Sequence, residues 1–198
     1  MRKEPDPLRA PLYQLVVRRW VPGICLSAAL ACGLSLAQTP EPVAQALVQP
    51  RLAGQGQMRF LGLRIYDARL HVGPQFEALE FDRYPLALEL TYHRSFSARA
   101  IAERSIQEIE RQRAMSPELA TRWTTLLAQW LPDVQSGDRL TGLYLPGQGM
   151  RMWRGDQALG LLDEPELARY FFGIWLSPKT SEPGLRSALL ATLQSTAP

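Results

Sequence analysis

Apolar and polar residues alternate along Met58–Val72 in a way that predicts a β-strand. In the second half of this segment, residues 66–72, polar side chains stand between the apolar ones, so this part of the strand is expected to bury one face and expose the other. The apolar face holds every second residue: Tyr66, Ala68, Leu70 and Val72. Before Tyr66 the apolar positions change parity, with Gly62 at the change. This pattern predicts either a bulge at Gly62 or a stretch that is covered on both faces.

A second alternation, over Leu86–Arg94, predicts the next strand. One face is apolar, and the other is assigned to solvent because it carries Glu89, Thr91 and His93. A sheet with one wet face is typical of antiparallel pairing. Similar segments predict three more short strands later in the chain: Leu140–Leu145, Met150–Arg154 and Ala158–Leu162.

Between these groups of strands the spacing changes to the 3.6-residue period of amphipathic helices. One helix is predicted over Ser97–Met115 with its first residue as N-cap, and another begins at Ser116-Pro117 and ends before Pro132. The solvated face of the first helix is assigned its charged residues: Glu103, Arg104, Glu108, Arg111 and Arg113. Two more helices are expected towards the end of the chain: Glu164–Phe172 and a segment that starts at Ser181. This order predicts an α+β fold, with helices laid on an antiparallel sheet.

The first 37 residues have the three parts of an export signal. Arg18 and Arg19 form a positive region, Val21–Leu36 is apolar, and Ser35-Leu36-Ala37 is a small-x-small cleavage site. The apolar run is shorter than the ~20 residues that a membrane-spanning helix needs, which favours cleavage near Ala37 over an uncleaved anchor. The pattern then predicts a linker at 38–53 and one domain at 54–195, located in the periplasm or secreted.

Removal of this leader would change the charge of the chain. The full sequence has a formal net charge of +3, whereas residues 38–198 carry 17 basic and 17 acidic side chains. A neutral domain lacks the positive surface that binds nucleic-acid phosphates. Cys25 and Cys32 also lie in the leader, so the expected domain has no cysteine for a nucleophile, a disulfide or a thiolate metal site.

The expected domain matches no common catalytic or cofactor motif. Its two histidines, His71 and His93, fall on faces assigned to solvent, which leaves little material for a triad or a metal site. Acidic residues at the start of one helix are assigned to the helix dipole rather than to a metal: Asp163, Glu164 and Glu166. No cofactor and no metal is predicted.

Two arginines break the strand patterns. Arg64 has the parity of the apolar face of the first strand, and Arg94 has that of Leu88, Leu90 and Tyr92. A guanidinium in an apolar layer needs an acidic partner, because its burial without one costs several kcal/mol. The partner could be a ligand carboxylate or phenolate, or an internal acidic residue, or a bulge could return the side chain to water.

Several segments, taken in order, resemble the bacterial chalcone isomerase-like proteins. The most specific is Phe171–Ser181, followed by Leu185-Arg186. The others are Met58–Leu70, Leu88–Arg94, Phe96-Ser97, Pro132–Val134, Gly137–Leu140 and Pro146–Gly149. They extend from about Gly54 to Leu190. The resemblance implies an open-faced sandwich, in which a large antiparallel sheet is backed by a layer of helices and a ligand cleft lies between them.

The resemblance also implies two activities. Plant members close chalcones into flavanones with an Arg, a Thr and a Tyr, and other members bind fatty acids with an Arg and a Tyr at the carboxylate. Tyr66 matches the tyrosine, but Leu61 follows Phe60 where the plant enzymes have threonine. The matching Gly-rich turn, Gly54–Gln57, holds no arginine. Chalcone isomerisation is therefore not expected.

Three hypotheses follow from these residues. The first is a binding domain for a fatty acid or a similar apolar anion, with the head group held by Arg64, Tyr66, Tyr92 and Arg94. The second is an isomerase or intramolecular lyase that acts on another substrate through Tyr66 and an arginine. The third is a structural partner in an envelope assembly, in which an exposed patch would include some of Trp123, Trp130, Trp153 and Trp175.

Overall fold

The computed structural model describes residues 41–194, and a six-stranded antiparallel sheet forms its centre. The strands lie side by side in chain order: β1 Arg51–Phe60, β2 Leu63–Val72, β3 Leu86–Tyr92, β4 Arg139–Leu145, β5 Gly149–Arg154 and β6 Gln157–Leu162. The described helices are α1 Glu41–Ala46, α2 Ala98–Glu110, α3 Pro117–Trp130, α4 Pro165–Leu176, α5 Pro183–Leu189 and α6 Ala191–Gln194. A short 3-10 helix, Ala78–Arg83, joins β2 to β3. The predicted α+β open-faced sandwich is confirmed.

The segment Met58–Val72, predicted as one strand, is a hairpin. Leu61 and Gly62 form a two-residue turn between β1 and β2, with φ angles of 49° and 79°. A turn with two positive φ angles matches the twist of the flanking strands, but it usually carries Asn-Gly or Asp-Gly. Because leucine occupies the first position of the turn, the sequence lacks the usual signature of such a turn. The change of parity was therefore attributed to a bulge or to a stretch covered on both faces. Neither predicted explanation is correct.

The segment predicted as a linker, 38–53, has regular structure over most of its described part. Residues 41–46 form α1, and β1 already begins at Arg51. Val43 and Leu47 are buried against Ala87 and Leu143 on one face of the sheet. The prolines of this segment suggested a linker, yet they leave room for one short helix. The predicted leader, 1–37, lies outside the described residues.

The starts of α2 and α3 were predicted correctly. Ser97 and Ser116 cap α2 and α3, and each side-chain oxygen accepts a hydrogen bond from a backbone N–H three residues later. Such a cap satisfies one of the donors that a helix leaves free at its N-terminus. The end of α2 comes five residues before the predicted Met115, at Glu110.

Helices α2 to α6 lie on one face of the sheet and build the main core. Helices α4 and α5 contact the strands directly, and α2 packs on α3 and α4. The fully buried members of this core include Trp123, Phe172, Leu70, Leu86, Leu127 and Leu176. Burial of each such side chain contributes about 1.5–3 kcal/mol. Within residues 41–194, none of the helices combines the length and the hydropathy that a membrane-spanning helix requires.

The opposite face of the sheet is buried at two positions that the sequence pattern assigned to solvent. Glu89 is 4% exposed and His71 is 1% exposed, although the strand pattern assigned both to solvent. Glu89 lies between two guanidinium groups, 3.6 Å from Arg69 and 3.8 Å from Arg139. The prediction failed here because α1 lies on this face and the charged side chains pair across neighbouring strands.

Candidate functional site

A cavity of about 390 Å³ lies between the sheet and the helices. Its floor is made by side chains that share one face of the sheet, because pairing places Tyr66 opposite Tyr92 and Leu90 opposite Leu140. Its roof comes from α2, from Phe171, Phe172 and Trp175 of α4, and from the start of α5. The size falls in the range of about 300–1,000 Å³ that small-molecule sites occupy.

The cavity is apolar along most of its length and polar at one end. The apolar walls are lined by Leu88, Leu90, Leu140, Met152 and Phe172, among others. The polar end lies where Tyr66 and Tyr92 stand, at the end of β2 and β3 that is nearest to the β1–β2 turn. From Tyr92 to Leu88 the strand rises roughly 13 Å. The cavity can therefore hold a long apolar molecule with its head at the tyrosines.

Tyr66 and Tyr92 form the centre of the polar end. Their rings meet edge to face, with centroids 5.8 Å apart. The Trp175 Nε1–H donates a hydrogen bond of 3.0 Å to the Tyr66 hydroxyl oxygen, so the Tyr66 proton is left for another acceptor. Within the described residues, the Tyr92 hydroxyl has no hydrogen-bond partner, although the residue is 5% exposed. Neither phenol oxygen is a fully enclosed atom without a partner, and both residues line the cavity, so both hydroxyl groups can bond to a ligand there.

Both phenols are neutral at physiological pH. The pKa of Tyr66 is raised to about 12, chiefly by burial; the Trp175 hydrogen bond opposes this rise, and the carboxylates of Glu182 and Glu108 add to it. Burial also raises the pKa of Tyr92, and the neighbouring Tyr66 adds to this effect. Phenols in this state donate hydrogen bonds and do not act as bases.

Three charged residues of the cavity lining lie near Tyr66 at this end: Arg104, Glu108 and Glu182. Arg104 of α2 is more than half exposed and pairs with Glu108, whose side chain is only 7% exposed. Arg111 stands 3.8 Å from the second Glu108 oxygen. Glu182, at the start of α5, lines the cavity as well. Within the cavity lining, two carboxylates therefore stand against one guanidinium, while Arg111 lies outside the lining.

The structure brings only two of the four predicted ligand-binding residues into the cavity. Tyr66 and Tyr92 line it, whereas Arg64 and Arg94 do not and are both exposed. The Arg64 guanidinium lies 3.3 Å from the Asp67 carboxylate and 3.2 Å from the His93 ring. Of the three outcomes considered for these arginines, Arg64 has an internal acidic partner and both side chains reach water, because Arg64 stands beside the hairpin turn and Arg94 lies beyond the end of β3.

The sequence interpretation missed Arg104, Glu108 and Trp175 as site residues. Arg104 and Glu108 were assigned to the solvated face of the first helix, and for Glu108 this assignment was wrong because it is buried. The helical spacing places these residues on one face of α2, since Arg104 and Ser105 stand three and four residues after Ile101 and Glu108 stands seven residues after it. A helix face that borders a cavity carries both apolar and polar residues. Its pattern therefore resembles the boundary between the buried and the exposed face of an ordinary surface helix.

The other predicted clusters have structural roles. Glu164 pairs with Arg122 and Glu166 pairs with Arg113, so these acidic residues tie α4 to other helices. No group of acidic, histidine or cysteine side chains within residues 41–194 has the arrangement of a metal site. Among the four tryptophans considered for an exposed patch, Trp123 and Trp175 are buried, and Trp130 and Trp153 are partly buried.

The fold is that of an α+β domain with an internal, mostly apolar cavity between its sheet and its helices. The model of the chalcone isomerase-like family matches residues 73–191, which is more than half of the chain. The protein belongs to this family. Its fold resembles the crystal structure of a fatty-acid binding protein from Arabidopsis thaliana, with a TM-score of 0.55 and 14% identity over 74% of this chain and 89% of that one. No curated protein matches the sequence.

Proposed function

We propose that this domain binds a fatty acid or a similar long apolar anion in the cavity between the sheet and the helices. The observation that carries the proposal is the cavity itself, whose walls are apolar and whose hydrogen-bond donors, Tyr66 and Tyr92, stand together at one end. The fatty-acid binding protein of similar fold supports the same class of ligand. Export through residues 1–37 remains part of the proposal, on the sequence pattern alone.

The charges at the polar end restrict the head group. The two phenol protons can be donated to one carboxylate, and the Arg104 guanidinium can pair with it as well as with Glu108. Glu108 and Glu182 disfavour a head with more than one negative charge, such as a phosphate monoester. The geometry thus favours a single carboxylate, with the chain running towards Leu88 and Met152.

Catalysis of chalcone isomerisation is not part of the proposal. Leu61, at the position of the plant threonine, is 86% exposed in the hairpin turn. Gly54–Gln57, the expected counterpart of the arginine turn, lies inside β1 and is not a turn. Tyr66 remains as a hydrogen-bond donor, which suits a carboxylate as well as a ketone.

We expect dodecanoate and hexadecanoate to stabilise the protein and Ala100→Phe to prevent this. Ala100 is an exposed residue of α2 that lines the cavity, so a phenyl group there blocks the mouth without overfilling the core. A ligand at one hundred times its Kd adds about 2.7 kcal/mol to the free energy of unfolding. Calorimetric titration and thermal unfolding, each with and without ligand, measure both effects.

The matched control is Ala158→Phe, which makes the same change on exposed strand β6, outside the residues that line the cavity. This variant should bind both acids as the wild type does. The proposal is overturned if neither acid raises the melting temperature and mass spectrometry of the purified protein finds no bound lipid.

We expect Tyr92→Phe to weaken binding of hexadecanoate by about tenfold. The change removes one hydroxyl that has no partner in the described part of the protein, so the stability of the fold should hardly change. Binding should lose one hydrogen bond to the ligand, about 1.4 kcal/mol. Tyr144→Phe is the control, because its hydroxyl donates to the Asp82 carbonyl oxygen at 3.0 Å, away from the cavity. The control should lower stability and leave affinity unchanged; equal affinities for all three proteins would rule out the tyrosine anchor.

A further inference from the structure

The turn between β1 and β2 presents apolar side chains to solvent. Phe60 is 57% exposed, Leu61 is 86% exposed and Leu63 is 48% exposed. These are three of the six large hydrophobic side chains that are exposed in the described residues. We call Phe60–Leu63 the hairpin tip. Single exposed apolar residues are common on proteins, whereas adjacent ones mark an interaction site.

The charges around the hairpin tip are positive. Arg59 and Arg64 flank it directly, and no acidic residue occurs between Gln57 and Tyr66. Arg94 lies at the same end of the sheet, because the His93 backbone N–H bonds to the Ile65 carbonyl oxygen. Arg94 has no hydrogen bond or ion pair within the described part of the protein. Asp67, which pairs with Arg64 and His93, is the nearest acidic residue along the hairpin.

The hairpin tip is continuous with the polar end of the cavity. Phe60 belongs both to the exposed tip and to the cavity lining, and Met58 and Ile65 continue that lining inward. Tyr66 and Tyr92 follow at the next positions of the strands. A molecule that leaves the cavity at this end therefore passes along the apolar side chains of the tip.

We propose that the hairpin tip docks on the surface of a lipid bilayer that carries anionic head groups. Phe60, Leu61 and Leu63 enter the interface, and Arg59, Arg64 and Arg94 face the lipid phosphates. Apolar residues beside basic ones are the combination that binds anionic membrane surfaces. The docking itself needs no cavity ligand; only its use, the exchange of a fatty acid between bilayer and cavity, rests on the proposed function.

The test places an environment-sensitive nitrobenzoxadiazole probe on the hairpin tip of the full chain. The probe is attached at Leu63→Cys after Cys25 and Cys32 are replaced by serine, and the protein is mixed with vesicles of phosphatidylcholine alone or of phosphatidylcholine and phosphatidylglycerol in equal parts. We expect a blue shift of emission with the anionic vesicles only. A probe at Leu79→Cys is the control, because Leu79 is 82% exposed but lies in the connection at the opposite end of β2 and β3.

The variant Leu61→Asn should weaken docking on the bilayer without destabilising the fold. Asparagine tolerates the positive φ of Leu61 and forms an Asn-Gly turn, so the melting temperature should stay equal or rise. The same substitution removes the most exposed leucine of the tip, and the blue shift at position 63 should fall to less than half. Replacement of Arg59 and Arg64 by glutamine should remove the preference for anionic vesicles.

Three results would overturn the docking proposal: no shift at position 63, an equal shift at position 79, or a shift that depends on protein concentration without vesicles and so indicates a second copy of the chain. Failure of docking leaves titration with dodecanoate in solution unchanged. Failure of fatty-acid binding leaves the probe result unchanged, so the two proposals can fail separately.

Discussion

Replacing Gly54 by alanine is expected to lower the free energy of unfolding by about 3 kcal/mol or more. Gly54 lies in β1 where α5 crosses the strand, and its backbone is buried. A methyl group there would come within 2.6 Å of the Leu189 carbonyl carbon and closer still to the Ala188 carbonyl oxygen. Backbone atoms cannot rotate away as side chains can, so the helix must move. Overfilling of a packed core usually costs about 1–3 kcal/mol, and more where the backbone shifts.

The same change should weaken ligand binding, because α5 carries part of the cavity wall. Leu185 lines the cavity, as does Glu182 immediately before the helix. A helix that is pushed off β1 opens this wall to water. Denaturant unfolding and titration with hexadecanoate on the same preparation measure the two effects together.

Gly184→Ala is the matched control for Gly54→Ala. It makes the same substitution within α5, at a position where an added methyl group meets nothing within 4 Å. Since alanine favours the helix over glycine by about 0.5–1 kcal/mol, this variant should be as stable as the wild type or slightly more so. Equal stability of the Gly54 and Gly184 variants would show that the close crossing of α5 and β1 does not constrain the fold.

The crossing explains why the glycines of β1 were interpreted as a turn. Gly54 and Gly56 alternate with glutamines, and glycine-rich segments usually connect strands. In the structure both glycines face α5, and a methyl group on Gly56 would lie 2.7 Å from the Leu185 Cδ1 atom. A local pattern cannot show that a helix more than 120 residues later needs the space.

Local rules predicted what depends on local interactions. The alternation in β2 and β3 predicted the face that carries Tyr66 and Tyr92, and the serine caps predicted the starts of two helices. These features depend on neighbours within a few residues. The family resemblance added the layer order and the cleft.

The rest of the candidate site depends on contacts between distant segments. Trp175 reaches Tyr66 across 109 positions of the chain. Glu108 is buried because α2 borders the cavity; its spacing from Ile101 places it on that face of the helix but does not show that a cavity lies there. Arg64 was predicted to face the ligand because a leucine occupies the turn position where asparagine is usual, and this shifted the interpretation of the whole segment.

Because of His71, the protein should lose stability as the pH falls, starting at a higher pH than the one at which carboxylates take up protons. It lies on the sheet face opposite the cavity, is 1% exposed, and neither ring nitrogen has a hydrogen-bond partner. Burial lowers the pKa of His71 from its ordinary 6.5 to about 4, and the nearby Arg69 guanidinium adds to the shift. The unfolded chain therefore binds a proton below about pH 6.5 that the folded chain does not bind until about pH 4.

This difference in proton binding sets the direction in which stability changes with pH. Stability from the neutral His71 is fully present above about pH 6.5 and is lost as the pH falls towards 4, at a total cost of about 3 kcal/mol. Asp67 has a lowered pKa because Gln57 and His93 form hydrogen bonds to it and oppose its desolvation. Its contribution is present above the ordinary aspartate pKa and declines only at lower pH, outside this range.

His71→Leu should abolish the loss of stability between about pH 6.5 and about pH 4.5. Leucine has a similar volume and no nitrogen to leave without a partner, so the variant should be as stable as the wild type near neutral pH. Urea unfolding at a series of pH values gives the slope for each protein. The control is Thr141→Val, which replaces a buried polar residue on the same face of the sheet without removing a titratable group and should keep the wild-type slope. If the His71 variant loses stability with acid as steeply as the wild type, the buried neutral imidazole is not its cause.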